Sequence, residues 1–131
     1  MRLEVRTTRR EQLLDVTEEV ARAVAEAGVF EGIAVVSSPH TTAGIVVNEN
    51  ADPDVVTDLL AGLSRLAPEH SGWLHAEGNS DAHLKTALVG TSVMLPVQGG
   101  RALLGTWQGV YFAEFDGPRS RNLDVTVVSG G

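Results

Sequence analysis

The chain has 131 residues, 43% hydrophobic and 21% charged, which fits one soluble globular domain spanning residues 1–131 with a single core. Its formal net charge of −7 at pH 7 and its aromatic content of only 5% argue against nucleic acid, which needs basic patches and stacking surfaces. Cysteine is absent, which excludes disulfides, thiolate nucleophiles and Cys-type zinc sites; no apolar run nears the roughly 20 residues of a membrane span, and the alternating, charged N-terminus is no signal peptide, so the expected compartment is the cytoplasm.

Arg2 to Thr8 alternates apolar and polar residues, the pattern of a half-buried strand. Asp15 stands three residues before Glu18, a capping-box spacing, and Val16, Val20, Val24 and Ala27 follow at helical intervals with Gly28 as a stop. This predicts a helix over 16–27. Ile33 to Ser37 and Gly44 to Asn48 are β-branched runs separated by Pro39, and both read as buried strands. Asp52-Pro53 is a cap with proline at the first helical position, followed by an apolar stripe from Val55 to Leu66 that Pro68 ends. After a loop, Asn79 or Ser80 can cap a short helix through Val89, with Gly90 as its stop. Ser92 to Val97 is a strand that Pro96 assigns to an edge. Gln98-Gly99-Gly100 is a hairpin signal leading into Arg101–Leu104. Val110 to Phe115 and Leu123 to Val128 are two more strands, joined by Asp116-Gly117-Pro118. The expected class is α+β with a mostly antiparallel sheet, two main helices and one short helix.

Chemistry concentrates in two polar clusters. One is His75-Ala-Glu-Gly-Asn-Ser-Asp-Ala-His83; the other opens at His40-Thr-Thr42 and runs on to Asn48-Glu49-Asn50. Together they read as one convergent site. Three neutral imidazoles, His40, His75 and His83, are a common catalytic metal set, although their spacing matches no metal motif and three unrelated histidines is the plain alternative. Glu77 lies two residues after His75, so both point to one face of an extended segment, as a ligand beside a carboxylate base or as a solvated loop acid. Asn79 and Ser80 can cap the helix, and the free N–H groups there can also receive a phosphate. Asp81 suits the helix dipole. Asn48 and Glu49 fit turn chemistry, Glu49 less well.

Gly105-Thr-Trp-Gln-Gly109 places Trp107 as a possible wall and Gln108 as a ligand contact, or else makes a hairpin turn with a packed Trp. Glu114 shares the face of Phe112. It is either a carboxylate with a raised pKa or, the favoured reading, an outward residue on a half-exposed sheet. Arg119 and Arg121 point the same way if extended and can fork a phosphate; surface charge is the competing reading.

Five segments, His40-Thr-Thr-Ala, Asn48-Glu-Asn-Ala-Asp-Pro-Asp54, His75 to His83, Leu104-Gly-Thr-Trp-Gln-Gly109 and Glu114-Phe-Asp-Gly-Pro-Arg119, resemble the YjbQ family, also called the secondary thiamine-phosphate synthase family. The resemblance runs from about Ser37 to Val128 in family order. It implies an antiparallel sheet curled into a half-barrel, a homotrimer with a polar cleft near the subunit boundary, and one divalent cation on His40, His75 and His83. Zinc follows from the ligand type; magnesium is compatible with a diphosphate substrate. The implied activity, primary or incidental, joins a hydroxymethylpyrimidine diphosphate to a thiazole phosphate and releases pyrophosphate. In that setting Glu77 or Glu49 handles protons or water, Asn48 and Gln108 are further catalytic candidates, and Asn79, Ser80, Thr42, Arg119 and Trp107 contact a phosphorylated substrate. Two other functions fit the same residues: a metal-dependent hydrolase of a phosphorylated or acyl compound, and a non-enzymatic trimeric binding protein.

Overall fold

A computed structural model describes residues 1–131. Eight strands and three helices follow in the order β1 (Arg2–Arg6), β2 (Gln12–Asp15), α1 (Thr17–Glu26), β3 (Glu31–Ser37), β4 (Ala43–Glu49), α2 (Pro53–Leu66), α3 (Ser80–Val89), β5 (Ser92–Gln98), β6 (Arg101–Ala102), β7 (Gln108–Glu114) and β8 (Ser120–Ser129). The fold is α+β. The strands form a five-stranded sheet, β1-β8-β3-β5-β6, and a three-stranded sheet, β2-β7-β4. Every pairing is antiparallel, and the sheets curl into a half-barrel. No helix is long and apolar enough to cross a membrane.

The main core lies between the two sheets. Ala34, Val36, Leu95, Leu123 and Val125 from the large sheet meet Ile45, Val110 and Phe112 from the small one, and Val20, Ala23 and Val24 of α1 join them. The small sheet is covered on its other face as well. There Leu13, Tyr111, Ala113 and Phe115 pack with Ala82 of α3 and the half-buried Val56, Leu59, Leu60 and Leu63 of α2. Strand β7 is thus buried on both faces, and Gly109 to Glu114 are all buried.

Several boundaries differ from the sequence expectation for identifiable reasons. Strand β2 carries no alternation, because Leu13 packs toward the helices and Leu14 toward the main core. Such a run reads as the approach to a helix. Val16 occupies the N-cap of α1, and the Asp15 carboxylate accepts from the Thr17 N–H at 2.9 Å, one residue further out than the capping-box spacing implies. Asp52 caps α2 as expected, accepting from the Asp54 N–H at 2.9 Å. The hairpin at Gly99 and Gly100 forms with both glycines at positive φ, 62° and 78°, but β6 is only two residues long. Pro96 is tolerated because β6 pairs only with Val97 and Gln98, leaving the rest of β5 as an edge. The Asp116-Gly117-Pro118 connection makes no hairpin: β7 and β8 belong to different sheets.

Candidate functional site

One end of the half-barrel opens as a cleft of about 500 Å³ with no hydrophobic lining residue. Four segments build it. The β3–β4 loop brings Pro39, His40, Thr41 and Thr42; the loop before α3 brings His75 and Glu77; the start of α3 brings Asn79 and His83; the β7–β8 passage brings Asp116, Arg119 and Arg121. The three histidines expected to meet therefore border one cleft.

Arg121 forms the floor, and the alternation of β8 explains why. Arg121, Leu123 and Val125 share the core-facing side and are all buried. Glu114 holds the matching position after Val110 and Phe112 on β7. Each is a charge on the inner face of its own sheet, and they pair. Arg121 Nε donates to Glu114 Oε1 at 2.8 Å, and its Nη2 donates to Glu114 Oε2 and, at 2.8 Å, to Thr42 Oγ1. Thr7 Oγ1 and the Asp116 N–H also donate to Glu114, at 2.8 Å and 3.0 Å. Burial pushes the Glu114 carboxyl up, but the bonds from Arg121, Asp116 and Thr7 outweigh it and hold it below the usual carboxylate range. Both expectations for Glu114 are thereby corrected: it is neither an outward surface residue nor a carboxyl with a raised pKa.

Arg119 is half-exposed at the rim, with Nε donating to the Asp116 carbonyl at 2.7 Å and Nη2 to Asp116 Oδ2 at 2.9 Å. In both arginines Nη1 donates to nothing within the chain. Asn79 donates through Nδ2 to Asp116 Oδ2 at 2.9 Å. Its Oδ1 is buried without a partner. Asn79 stands at the N-cap of α3 and makes no side-chain cap bond there.

The histidines divide in two. His75 and His83 stand edge to face with ring centroids 5.6 Å apart, and Glu77 Oε2 is 3.8 Å from His75 Nε2. His40 sits against Phe112, and its Nε2 accepts from the Asn122 N–H at 2.9 Å. Burial and then the charge of Arg121 hold the His40 pKa below the usual imidazole value. No three ligand-type side chains stand at metal-binding spacing.

The second half of the expected site lies elsewhere. Strands β4 and β7 run from the pair Ala43–Glu114 near the cleft to Glu49–Gln108 at the far end. That is six residues, or about 20 Å at the rise of an antiparallel strand. Asn48, Glu49, Trp107 and Gln108 cluster there and do not reach the cleft. Asn48 Oδ1 accepts from the Glu49 N–H at 2.7 Å, and Gln108 Oε1 from the Gly105 N–H at 2.8 Å. Asn48 lies within β4, opposite Gly109, and Gln108 closes the turn that begins at Gly105. Ser80 lies outside the polar cleft, on an adjoining cavity that shares His75 and His83.

Behind α3 stands a second buried charge network. Asp81, fully buried, accepts from Arg10 at 3.0 and 3.2 Å and from Lys85 at 2.9 Å; Lys85 also reaches Glu11 at 3.2 Å. Burial raises the Asp81 carboxyl, and the bonds from Arg10 and Lys85 bring it below its usual value. Asp81 therefore fixes α3 in place, a larger role than complementing the helix dipole.

The profile of the UPF0047 protein YjbQ-like family matches residues 1–130. The chain belongs to the YjbQ-like UPF0047 family. It is 50% identical over 127 residues to the UPF0047 protein YugU of Bacillus subtilis, covering 96% of both chains. It is likewise 50% identical over 125 residues to a UPF0047 protein of Methanocaldococcus jannaschii, covering 95% of this chain and 91% of that one. Among solved structures, a yjbq/upf0047 family protein of Clostridium acetobutylicum superposes with a TM-score of 0.95 at 48% identity, covering 98% and 99% of the two chains. The hypothetical protein APE1520 of Aeropyrum pernix gives 0.94 at 39% identity, covering 98% and 97%.

Proposed function

We propose that this YjbQ-family protein is a small-molecule enzyme whose polar cleft takes a phosphorylated substrate, with thiamine-phosphate synthase-like chemistry: hydroxymethylpyrimidine diphosphate and thiazole phosphate are joined and pyrophosphate leaves. The observation that carries this reading is the pair of cleft arginines, each with Nη1 free. Arg119 is paired with Asp116 and Arg121 with Glu114, and what each offers a ligand is its remaining charge-assisted N–H donor. Arg121 is clamped by Glu114 and Thr42, so its orientation is set before a ligand arrives. Departure of a diphosphate puts negative charge on the leaving oxygens, and preoriented guanidinium N–H groups stabilise that charge.

A divalent cation belongs to the proposal. Two imidazoles on one tetrahedral zinc have ring centroids about 5 Å apart, given Zn–N bonds of about 2.0 Å. The 5.6 Å separation of His75 and His83 fits that arrangement, and the N-donor pair suits zinc over magnesium. His40 would first have to give up its bond to Asn122, so we assign the cation to His75 and His83. When bound, it would neutralise charge on the leaving diphosphate. Glu77, beside His75 and open to solvent, is the group placed to accept a proton.

That solvent-open carboxylate also favours a second reading, hydrolysis of a phosphorylated compound with Glu77 activating water. Incubation of the purified protein with each substrate alone and with both, with and without added zinc, separates the two. A synthase forms a coupled product and pyrophosphate only when both substrates are present. A hydrolase releases phosphate from one substrate and water. No turnover under any of these conditions would sink both.

The homotrimer is likewise proposed. Ile33, Met94 and Val128 are 46%, 71% and 56% exposed on the outer face of the large sheet, and Ile33 lies in register between Pro96 and Val128. An apolar row of this kind fits a subunit contact. Sedimentation equilibrium at the mass of three chains is expected.

A further inference from the structure

His40 borders the cleft together with Arg119 and Arg121, and the backbone of β8 sets its place. The ladder between β3 and β8 ends at the pair Ser37–Asp124. The Asn122 N–H lies beyond that end, and a backbone N–H is an obligatory donor. The His40 ring meets it, with Nε2 accepting at 2.9 Å. A side chain thus closes the stretch of sheet edge that β3 leaves open.

That bond fixes the tautomer. Nε2 keeps its lone pair for the Asn122 N–H, so the one proton of the neutral ring sits on Nδ1. Burial and the charge of Arg121 both favour the neutral ring. Nδ1 bonds nothing within the chain. The ring is held as well as oriented. It stands edge-on to Phe112 with centroids 6.3 Å apart. The His40 backbone N–H donates to Ser38 Oγ at 3.2 Å, which donates in turn to the Ala43 carbonyl at 2.7 Å.

The same loop holds Arg121. Thr42 Oγ1 accepts from Arg121 Nη2 at 2.8 Å, and Arg121 immediately precedes Asn122. The His40–Thr42 loop and the Arg121–Asn122 step are therefore stitched together at two points. Left over are two donors, His40 Nδ1–H and Arg121 Nη1, on residues that border the cleft. Both suit an anion. A ring committed at Nε2 and protonated at Nδ1 has no lone pair to offer a metal. We infer that His40 is an anion-binding residue and not a cation ligand: its neutral ring donates Nδ1–H to an oxygen of the bound diphosphate, next to Arg121. The inference rests on the phosphate-binding cleft proposed above and adds to its two arginines a third donor, uncharged and set before the ligand arrives. A preoriented donor of this kind stabilises charge on departing oxygens without placing another cation against Arg121.

Inorganic pyrophosphate is titrated into metal-free protein with a chelator present, where service as a cation ligand would contribute nothing. His40→Phe keeps a ring against Phe112 and removes both nitrogens. Calorimetry is expected to show affinity weaker by roughly tenfold in His40→Phe than in wild type, the scale of one lost hydrogen bond to a charged group. A second measurement uses wild type alone and does not depend on the variant folding. Imidazole proton–nitrogen spectra follow the His40 Nδ1 proton, which is expected to move downfield and exchange more slowly with water as pyrophosphate saturates the protein. A ring that only supports β8 would leave that proton as it was. Wild-type affinity in His40→Phe, or an Nδ1 proton unchanged in shift and exchange at saturation, would overturn the role of His40 and leave the phosphate-binding cleft standing. Absence of pyrophosphate binding to wild type would overturn the cleft and this role together.

Discussion

Arg121 of the large sheet reaches across the core to Glu114 of the small one, with Nε 2.8 Å from Oε1. The pair joins the two sheets directly beneath the cleft, with Arg121 only 6% exposed and Glu114 fully buried. Such a pair is costly to break on one side, because the remaining charge is left buried alone. Glu114→Ala is expected to lower stability by about 3–5 kcal/mol, read as the midpoint shift in urea unfolding. Glu114→Leu combined with Arg121→Met removes both charges and is expected to lose less than Glu114→Ala. Equal or greater loss in the double variant would contradict an uncompensated-charge origin.

Acid sensitivity follows from the same groups. Glu114 and Asp81 are both held below their usual pKa values in the folded chain. Between the folded and unfolded pKa the unfolded chain binds more protons, so stability rises with pH there. Their contribution is fully present above the unfolded carboxylate values of about 3.9 to 4.3 and is lost as pH falls through the lower folded values. Urea midpoints taken from pH 7 to pH 3 are expected to fall at the acid end. Asp81→Asn is expected to be less stable than wild type at pH 7, with a flatter acid limb. An unchanged acid limb in Asp81→Asn would remove Asp81 from the account.

His40 offers a test that needs no substrate. With Nε2 accepting from the Asn122 N–H, its neutral ring carries the proton on Nδ1. Long-range proton–nitrogen spectra at pH 7.5 are expected to show that tautomer. On addition of zinc, the ring signals of His75 and His83 are expected to move while those of His40 stay. A simultaneous shift of all three would replace the two-histidine assignment with the three-histidine set that the family resemblance implies.

Helix α3 crosses β4 at a point with no room for a side chain. A Cβ on Gly44 would lie 2.4 Å from the Gly90 carbonyl oxygen, a backbone atom that cannot step aside. Gly44→Ala is therefore expected to cost about 1–3 kcal/mol. It should also shift His83 and Asn79, which ride on α3, and this is readable in amide chemical shifts of residues 79–83. A variant as stable as wild type would show that α3 tolerates displacement.

The legible part of the fold was the part governed by local signals. Asp52-Pro53 announces α2, Gly99-Gly100 announces its hairpin, and β-branched runs announce β3 and β4. Strand β2 was not legible, since burial on both faces erases alternation. At the site, residue chemistry pointed to His40, His75 and His83, and they share one cleft. Glu114 and Arg121 were open to a better reading. Each falls on the core-facing side of its strand by simple alternation with Phe112 and with Leu123, and two opposite charges so placed have strong reason to meet. Nothing in the sequence separates the Asn48–Glu49 and Trp107–Gln108 segments from the histidines, because their distance is set by strand register: both lie at the far end of the β4–β7 ladder. For the two arginines that carry the proposed function, the sequence leaves surface charge as a competing reading, since whether a charged side chain is buried depends on tertiary partners.

The most direct test of the proposed cleft is calorimetric titration of pyrophosphate into wild type and Arg119→Ala. The account predicts one site per chain in wild type and affinity weaker by roughly tenfold or more in Arg119→Ala, the scale of a lost charge-assisted hydrogen bond. No binding to wild type, or equal binding to both proteins, would contradict it.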